Sequence, residues 1–352
     1  MAQEAKYQRV KEILRKRIRA SNGIGSRIPS TAALHKTLGV SSQTINRAIS
    51  DLVDEGILER HVGRGTFVVR PKRATRNIGF VWPGYMDQLT KHPYMASILH
   101  AAEATASTYD RHLVVASNVD PIKPAFIGQS NHVAGVLILF NRDARLVDAY
   151  LERSIPVVLI DPFVRTGDVP FVTSDHYSGM REATLHLVRL GHRRIAYVTY
   201  LGLDFLTFQE RLLGYETAMR EVHLQETSCV LRLPVGEELP PEAAKVFTDT
   251  LDTVRPTACC CCHDDLAMWV IHVCHERGTR VPDDLSVVGF DDSGVASHVR
   301  PSLTTVHVPL EEIGRTAVLV LDRLIEEEQV AGRGTVLPTR LVERASTKPP
   351  SS

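Results

Sequence analysis

Between Ile78 and Phe290 the sequence repeats one pattern: a short apolar run, a stretch with helical spacing, then another apolar run. The runs are Ile78–Val81, Leu113–Ala116, Gly135–Phe140, Val157–Ile160, Ile195–Thr199, Ala258–Cys262 and Ser286–Phe290. Continuous apolar runs of this length suit strands covered on both faces, as in a parallel sheet flanked by helices. The alternation therefore selects an α/β fold with parallel sheets. It also places ligands beyond the carboxyl ends of the strands. At 352 residues the chain suits two or three compact units.

The first 70 residues read differently. Tyr7 to Ala20 carries Val10, Ile13, Leu14 and Ile18 at near-helical spacing, with Lys11, Arg15, Lys16, Arg17 and Arg19 opposite and Asn22-Gly23 as a stop. A second helix opens at Pro29-Ser30, with Ser30 as N-cap, and Gly39 ends it. Ser41 caps a third helix that runs to about Glu55, with Gly56 after it. Ile45, Ala48, Ile49 and Leu52 form its packing face. Gln43, Thr44, Asn46 and Arg47 are left outward near its N-terminus. Asn and Gln can pair with adenine and Arg with guanine in a major groove, although any surface helix can carry such residues. Ile57–His61 and Thr66–Val69 then bracket Gly63-Arg64-Gly65 as a hairpin, whose tight turn can push Arg64 toward a minor groove or a phosphate. Helix and hairpin together make a winged helix-turn-helix.

Charge separates the two regions. Residues 1–73 hold 15 Lys/Arg against 6 Asp/Glu, and the remainder is equally acidic, so the whole chain has no net charge. Phosphates would attract only the small basic region. No apolar run approaches the ~20 residues that span a bilayer, and the polar N-terminus lacks a signal peptide's apolar segment. A cytoplasmic protein is expected. Cys259 to Cys262 are consecutive, so they alternate between the faces of a strand and cannot converge on one metal. They read as small buried hydrophobes of a reducing compartment, and neither metal nor cofactor is expected.

The N-terminal region resembles the GntR family of bacterial regulators. The likeness rests on Tyr7, Ile28-Pro29-Ser30-Thr31-Ala32-Ala33-Leu34, Gly39 to Ala48, and Gly63-Arg64-Gly65-Thr66-Phe67. Ala32, Ser42 and Asn46 stand where that family commonly has DNA-contacting arginines, so a non-standard operator is expected. The resemblance implies DNA contacts from Ser30, Ser42, Gln43, Thr44, Asn46, Arg47, Arg64 and Gly65. The larger region resembles the effector domain of LacI-type repressors, which is similar to periplasmic sugar-binding proteins. The resembling stretches are Gly191–Ala196, Glu210–Tyr215, Val281–Asp292, Pro301–Val306 and Leu337–Val342. A GntR-like head on a LacI-like sensor is similar to the arabinose-repressor subgroup.

That resemblance implies residues 1–70 as the head, 71–76 as a linker, and 77–347 as a periplasmic-binding-protein-like domain of two subdomains around a cleft. The first subdomain is expected at about 77–174 and 305–331, the second at about 175–304 and 332–345. Carried over position by position, the ligand set is Asp161, Arg211, His263 (where relatives usually have Asn) and Asp291. Trp82, Phe140 and Phe163 lie near the same strand ends and can stack on an apolar ligand face. A guanidinium and two carboxylates suit neighbouring hydroxyls, which points to a sugar. Asp161 also fits a turn before Pro162, and Trp82 and Phe163 also fit a core. His263 leaves a nucleobase or a sugar phosphate open.

The expected function is a ligand-responsive transcriptional regulator, a repressor by resemblance, that binds two-fold operator DNA as a homodimer and is modulated by a small molecule, with a sugar first. The competing reading is a cytosolic sugar-binding or sugar-modifying protein whose head serves assembly. His263 beside Asp264 and Asp265 is the one cluster suggestive of acid–base work. It lacks partners, and no phosphate-binding Gly-rich loop or Gly-x-Ser-x-Gly elbow accompanies it. No enzyme activity is expected.

Overall fold

In the computed structural model, residues 7, 10, 11, 13, 14, 26–54, 58–61, 64–68, 75–84, 86, 92–117, 119, 123–127, 133–202, 205–234, 239–326 and 334–351 are described. The expected stop at Asn22-Gly23, the helix end at Gly56, Gly63 of the wing and most of the linker lie outside them. The chain divides into two compact units, residues 1–76 and 77–352.

In the first unit, helices Thr31–Leu38 and Ser42–Asp54 precede an antiparallel hairpin of β1 (Leu58–His61) and β2 (Gly65–Val68). Ser30 caps the first of these helices by accepting from the Ala33 N–H at 3.2 Å, and Gly39 closes it in the left-handed conformation at φ 63°. Leu34, Ile45, Ala48, Ile49, Leu52, Leu58 and Val68 pack with Tyr7, Val10 and Leu14 into one small core. The apolar stripe of the Ser42–Asp54 helix thus does the packing its spacing requires.

The second unit holds two parallel sheets. The strands of the first are β3 (Asn77–Trp82), β4 (His112–Ser117), β5 (Val136–Leu139), β6 (Val157–Ile160), β7 (Phe171–Ser174) and β13 (Gly334–Leu337), in the order β13-β7-β6-β5-β3-β4. Strands β5 and β6 are buried at every residue, which is why their sequences are uniformly apolar. The second sheet, in the order β11-β10-β8-β9, uses β8 (Ile195–Tyr200), β9 (Cys229–Leu233), β10 (Ala258–Cys261) and β11 (Ser286–Val288). Helices His176–Arg189, Leu206–Glu221, Pro241–Thr253 and Asp264–Arg277 belong to this second lobe. Pro93–Thr108, Ala144–Leu151 and Leu310–Ile325 belong to the first.

The structure corrects two subdomain boundaries. Residues 334–337, expected in the second lobe, form β13 and pair in parallel with β7 at the edge of the first sheet. Residues 305–307, expected in the first lobe, form β12 (Thr305–His307). This strand pairs with β14 (Arg340–Val342), bridges Asp291, and donates from Thr305 to Asp264 of the second lobe. In both cases the crossover sits a few residues from where the resemblance placed it. These strands are too short and too polar to announce themselves. No helix among the described residues is long and apolar enough to cross a membrane.

Candidate functional sites

Three strands end alike. Phe140 follows β5, Asp161 follows β6 and Asp291 lies just beyond β11, with φ of 52°, 42° and 114°. Non-glycine residues in this left-handed region are strained by about 1–3 kcal/mol, and such strain gathers where a fold must aim side chains at a ligand. The carboxyl ends of the two sheets thus present one aromatic and two carboxylates.

Asp161 is fully buried. It accepts from Tyr94 Oη at 2.6 Å and from Thr173 Oγ1 at 2.7 Å, and His176 Nε2 lies 3.6 Å away. Burial opposes its ionisation, but His176, Thr173 and Tyr94 outweigh that and hold the carboxyl below its usual range. Across the cleft, Arg211 rises from the Leu206–Glu221 helix with 3% exposure. Its Nη1 donates to the Cys262 carbonyl, its Nη2 to Asp291 Oδ1 at 3.0 Å, and its Nε to His176 Nδ1 at 3.3 Å. The guanidinium carbon also lies 3.9 Å from the centroid of the Phe290 ring. Burial pushes the Asp291 carboxyl up to about 7, and Arg211 opposes the rise.

His263 does not stand in for an amide with both ends free. Its Nδ1 accepts from the Leu266 N–H at 3.2 Å and so caps the Asp264–Arg277 helix. Only Nε2 remains for a ligand. Burial lowers the ring to about 4, against the pull of Asp265, so it is neutral. Tyr200 and Phe208 flank it with ring centroids at 5.4 and 6.2 Å.

The aromatic residues form one ladder. Trp82 meets Phe140 edge-on at 5.8 Å, Phe140 stacks on Phe163 at 4.8 Å, and Phe163 stacks on Phe205 at 3.8 Å. Arg142 lies over Phe163 and Phe205, at 5.2 and 4.9 Å from their centroids. Trp82 is 6% exposed and therefore serves the core more than an open pocket wall. The Phe163–Phe205 stack joins the lobes, as do His92–Asp265 and Arg165–Glu210, each at 3.3 Å. Tyr94, Arg142, His176, Phe205 and Phe208 were not singled out from the sequence. Phe205 and Phe208 had one usable signal: both lie between the end of β8 and Arg211.

In the first unit Ser30, Asn46 and Gly65 of the expected DNA-facing set line one notch, and Thr44 is turned inward. Ser42, Gln43, Asn46, Arg47 and Arg64 are exposed. Thr44 is 8% exposed, and its Oγ1 lies 2.8 Å from Ser41 Oγ. It sits four residues before Ala48, at the edge of the packing stripe, so it turns inward and closes the cap instead of reaching DNA. Asn46 Oδ1 accepts from Thr31 Oγ1 at 2.9 Å, which leaves its amide N–H groups to face outward. Arg47 lies 4.6 Å over the Tyr7 ring. A notch of about 410 Å³ separates the N-terminus of the Thr31–Leu38 helix from the wing, lined by Arg27, Ser30, Thr31, Asn46, Arg60 and Gly65 among others.

Residues 6–68 match the bacterial regulatory proteins of the gntR family, and residues 184–347 match the periplasmic binding protein-like domain. The chain is 31% identical over 350 residues to the arabinose metabolism transcriptional repressor of Geobacillus stearothermophilus, covering 92% of each protein. This chain belongs to that family of bacterial transcriptional repressors. The arabinose metabolism transcriptional repressor of Halalkalibacterium halodurans is 30% identical, covering 93% of this chain and 91% of that one. Among solved structures, the complex of the transcriptional regulator CelR with cellobiose aligns with a TM-score of 0.67 at 25% identity. It covers 91% of this chain and all of that one. The protein is thus a DNA-binding regulator whose gntR-type head is followed by a ligand-responsive domain.

Proposed function

We propose that this repressor binds a two-fold operator as a cytoplasmic homodimer and releases it when a sugar closes the cleft. The observation that carries the reading is the buried guanidinium of Arg211 bonded to Asp291, one of three strained strand ends with Phe140 and Asp161. Carboxylates and a guanidinium bind adjacent hydroxyls through charge-assisted bonds, and the Phe140–Phe163–Phe205 stack offers apolar ring edges to the C–H groups of a sugar. Direct hydroxyl contacts belong to Asp291, Arg211 and His263 Nε2. Asp161, already engaged by Tyr94 and Thr173, anchors the first lobe. In the head, Gln43, Asn46, Arg47 and Arg64 are the exposed candidates for operator contact, positioned by Ser30 and Gly65. No turnover of the sugar belongs to this reading.

L-Arabinose is the first probe because of the arabinose metabolism relatives. Calorimetric titration of the full chain should show saturable binding that Asp291→Ala abolishes. Mobility shifts on fragments upstream of the protein's own gene should show retention that weakens with added sugar and with salt. Salt-insensitive retention, or none with and without sugar, would sink the proposal.

A further inference from the structure

One buried titratable group has no part in the scheme above. His176 is the first residue of the His176–Arg189 helix, two residues past the end of β7, where the chain leaves the first lobe for the second. It is fully buried. On one side its Nδ1 accepts from Arg211 Nε at 3.3 Å, and on the other its Nε2 faces Asp161 Oδ1 at 3.6 Å. Ser174 Oγ lies 3.3 Å from Nε2, and the Phe290 ring, which also carries Arg211, lies 5.8 Å away. A chain of contacts therefore runs from Tyr94 through Asp161, His176 and Arg211 to Asp291, crossing the lobes at a chain crossover, with the 3.6 Å His176–Asp161 step its longest.

We infer that His176 is a positioning residue for sugar recognition: as a neutral imidazole bearing its proton on Nε2, it orients the Arg211 guanidinium and ties it to Asp161 of the other lobe. The tautomer follows from the donors. Arg211 can only donate, so Nδ1 must be the bare nitrogen. The neutral state follows from the setting, because burial and the adjacent Arg211 both lower the affinity of the ring for a second proton. A protonated ring would set two cations 3.3 Å apart, and an apolar residue would leave the buried Nε–H without an acceptor. The inference rests on the sugar reading of the cleft for its functional consequence, but not for its geometry.

Two measurements on the full-length protein test it. In the first, L-arabinose is titrated into wild type, His176→Gln and His176→Leu. Glutamine can accept from Arg211 and donate toward Asp161, whereas leucine can do neither. Glutamine should stay within about 3-fold of the wild-type Kd and leucine should weaken it by about 10-fold or more. Equal effects of the two variants, or none from leucine, overturn the assignment. In the second, imidazole ¹⁵N spectra of histidine-labelled protein are recorded, with His176 assigned by its loss in His176→Gln. A bare Nδ1 that shifts in Arg211→Lys supports the assignment, and a proton on Nδ1 or no response to Arg211→Lys overturns it. If wild type fails to bind L-arabinose, the sugar reading fails with that probe, and the spectra decide the role of His176.

Discussion

Gly214 sits one turn beyond Arg211, where the Leu206–Glu221 helix crosses His176–Arg189. A Cβ placed there would lie 2.3 Å from the Tyr177 carbonyl oxygen and 3.0 Å from the Arg181 nitrogen. Carbon and oxygen normally approach no closer than about 3.3 Å, so Gly214→Ala must part the two helices by about 1 Å. Both opposing atoms are backbone and cannot rotate away. Overpacking of this kind costs about 3 kcal/mol at the upper end, and alanine's better helix propensity returns about 1 kcal/mol. The net loss is about 2 kcal/mol, which lowers Tm by roughly 4–8 °C for a domain of this size. Arg211, on the same face, should swing from Asp291 and His176, so L-arabinose affinity should fall along with Tm. Gly294, with nothing within 4 Å of a built Cβ, is the internal control, and Gly294→Ala should change stability by no more than about 0.5 kcal/mol. Thermal unfolding followed by circular dichroism, with sugar titration alongside, reads both effects. A Gly214→Ala protein that melts with wild type would show that the helix contact does not hold Arg211 in place.

Three further outcomes follow from the same geometry. The Asp291 carboxyl, raised to about 7 in the fold, binds its proton more tightly there than in the unfolded chain, so its contribution to stability is lost as pH rises from about 4 through 7. The stability of Asp291→Asn minus that of wild type should therefore climb by several kcal/mol over that window, whatever constant penalty Arg211 pays for losing a partner, and a flat difference contradicts the buried-acid assignment. Ile45 is fully buried in the small head core, so Ile45→Ala should cost about 2–5 kcal/mol there and abolish DNA retention while sugar binding persists; loss of both together would argue against separate units. At Gly65, with φ 115° and a built Cβ 2.5 Å from Arg27 Nε, alanine should distort the wing and weaken DNA retention without moving the sensor's melting transition, and full retention would remove the wing from the interface.

Much of the fold was legible because local spacing records burial. The apolar runs of β5, β6 and β10 mark strands covered on both faces, and Ser30 and Gly39 mark a helix by the backbone groups they satisfy. Strand β7 escaped notice because Thr173 and Ser174 are polar. They are buried because Asp161 and His176 supply their partners, and those partners come from elsewhere in the fold. Strands β12 to β14 interrupt their apolar residues with Thr305, His307, Thr335 and Arg340, so they lack the continuous apolar run that marks the others. Thr44 misled for a related reason. A short hydroxyl on a helix edge can face DNA or close its own cap, and only the packed helix decides.

Local spacing and charge alone set the class of molecule: a basic winged head, an acidic α/β sensor, and carboxylates and a guanidinium at strand ends and on a helix that face a cleft. These are properties of neighbouring residues and of charge, which the chain carries before it folds. The wiring of those groups came only with the folded chain. Tyr94 is 67 residues from Asp161, Arg211 is 35 from His176 and 80 from Asp291, and Phe163 meets Phe205 across the two lobes. Such pairs share no periodicity. They meet because parallel sheets bring the ends of distant strands to one edge and the crossovers lay one lobe against the other, so the hydrogen bonds that orient Arg211 exist only once the chain has closed on itself.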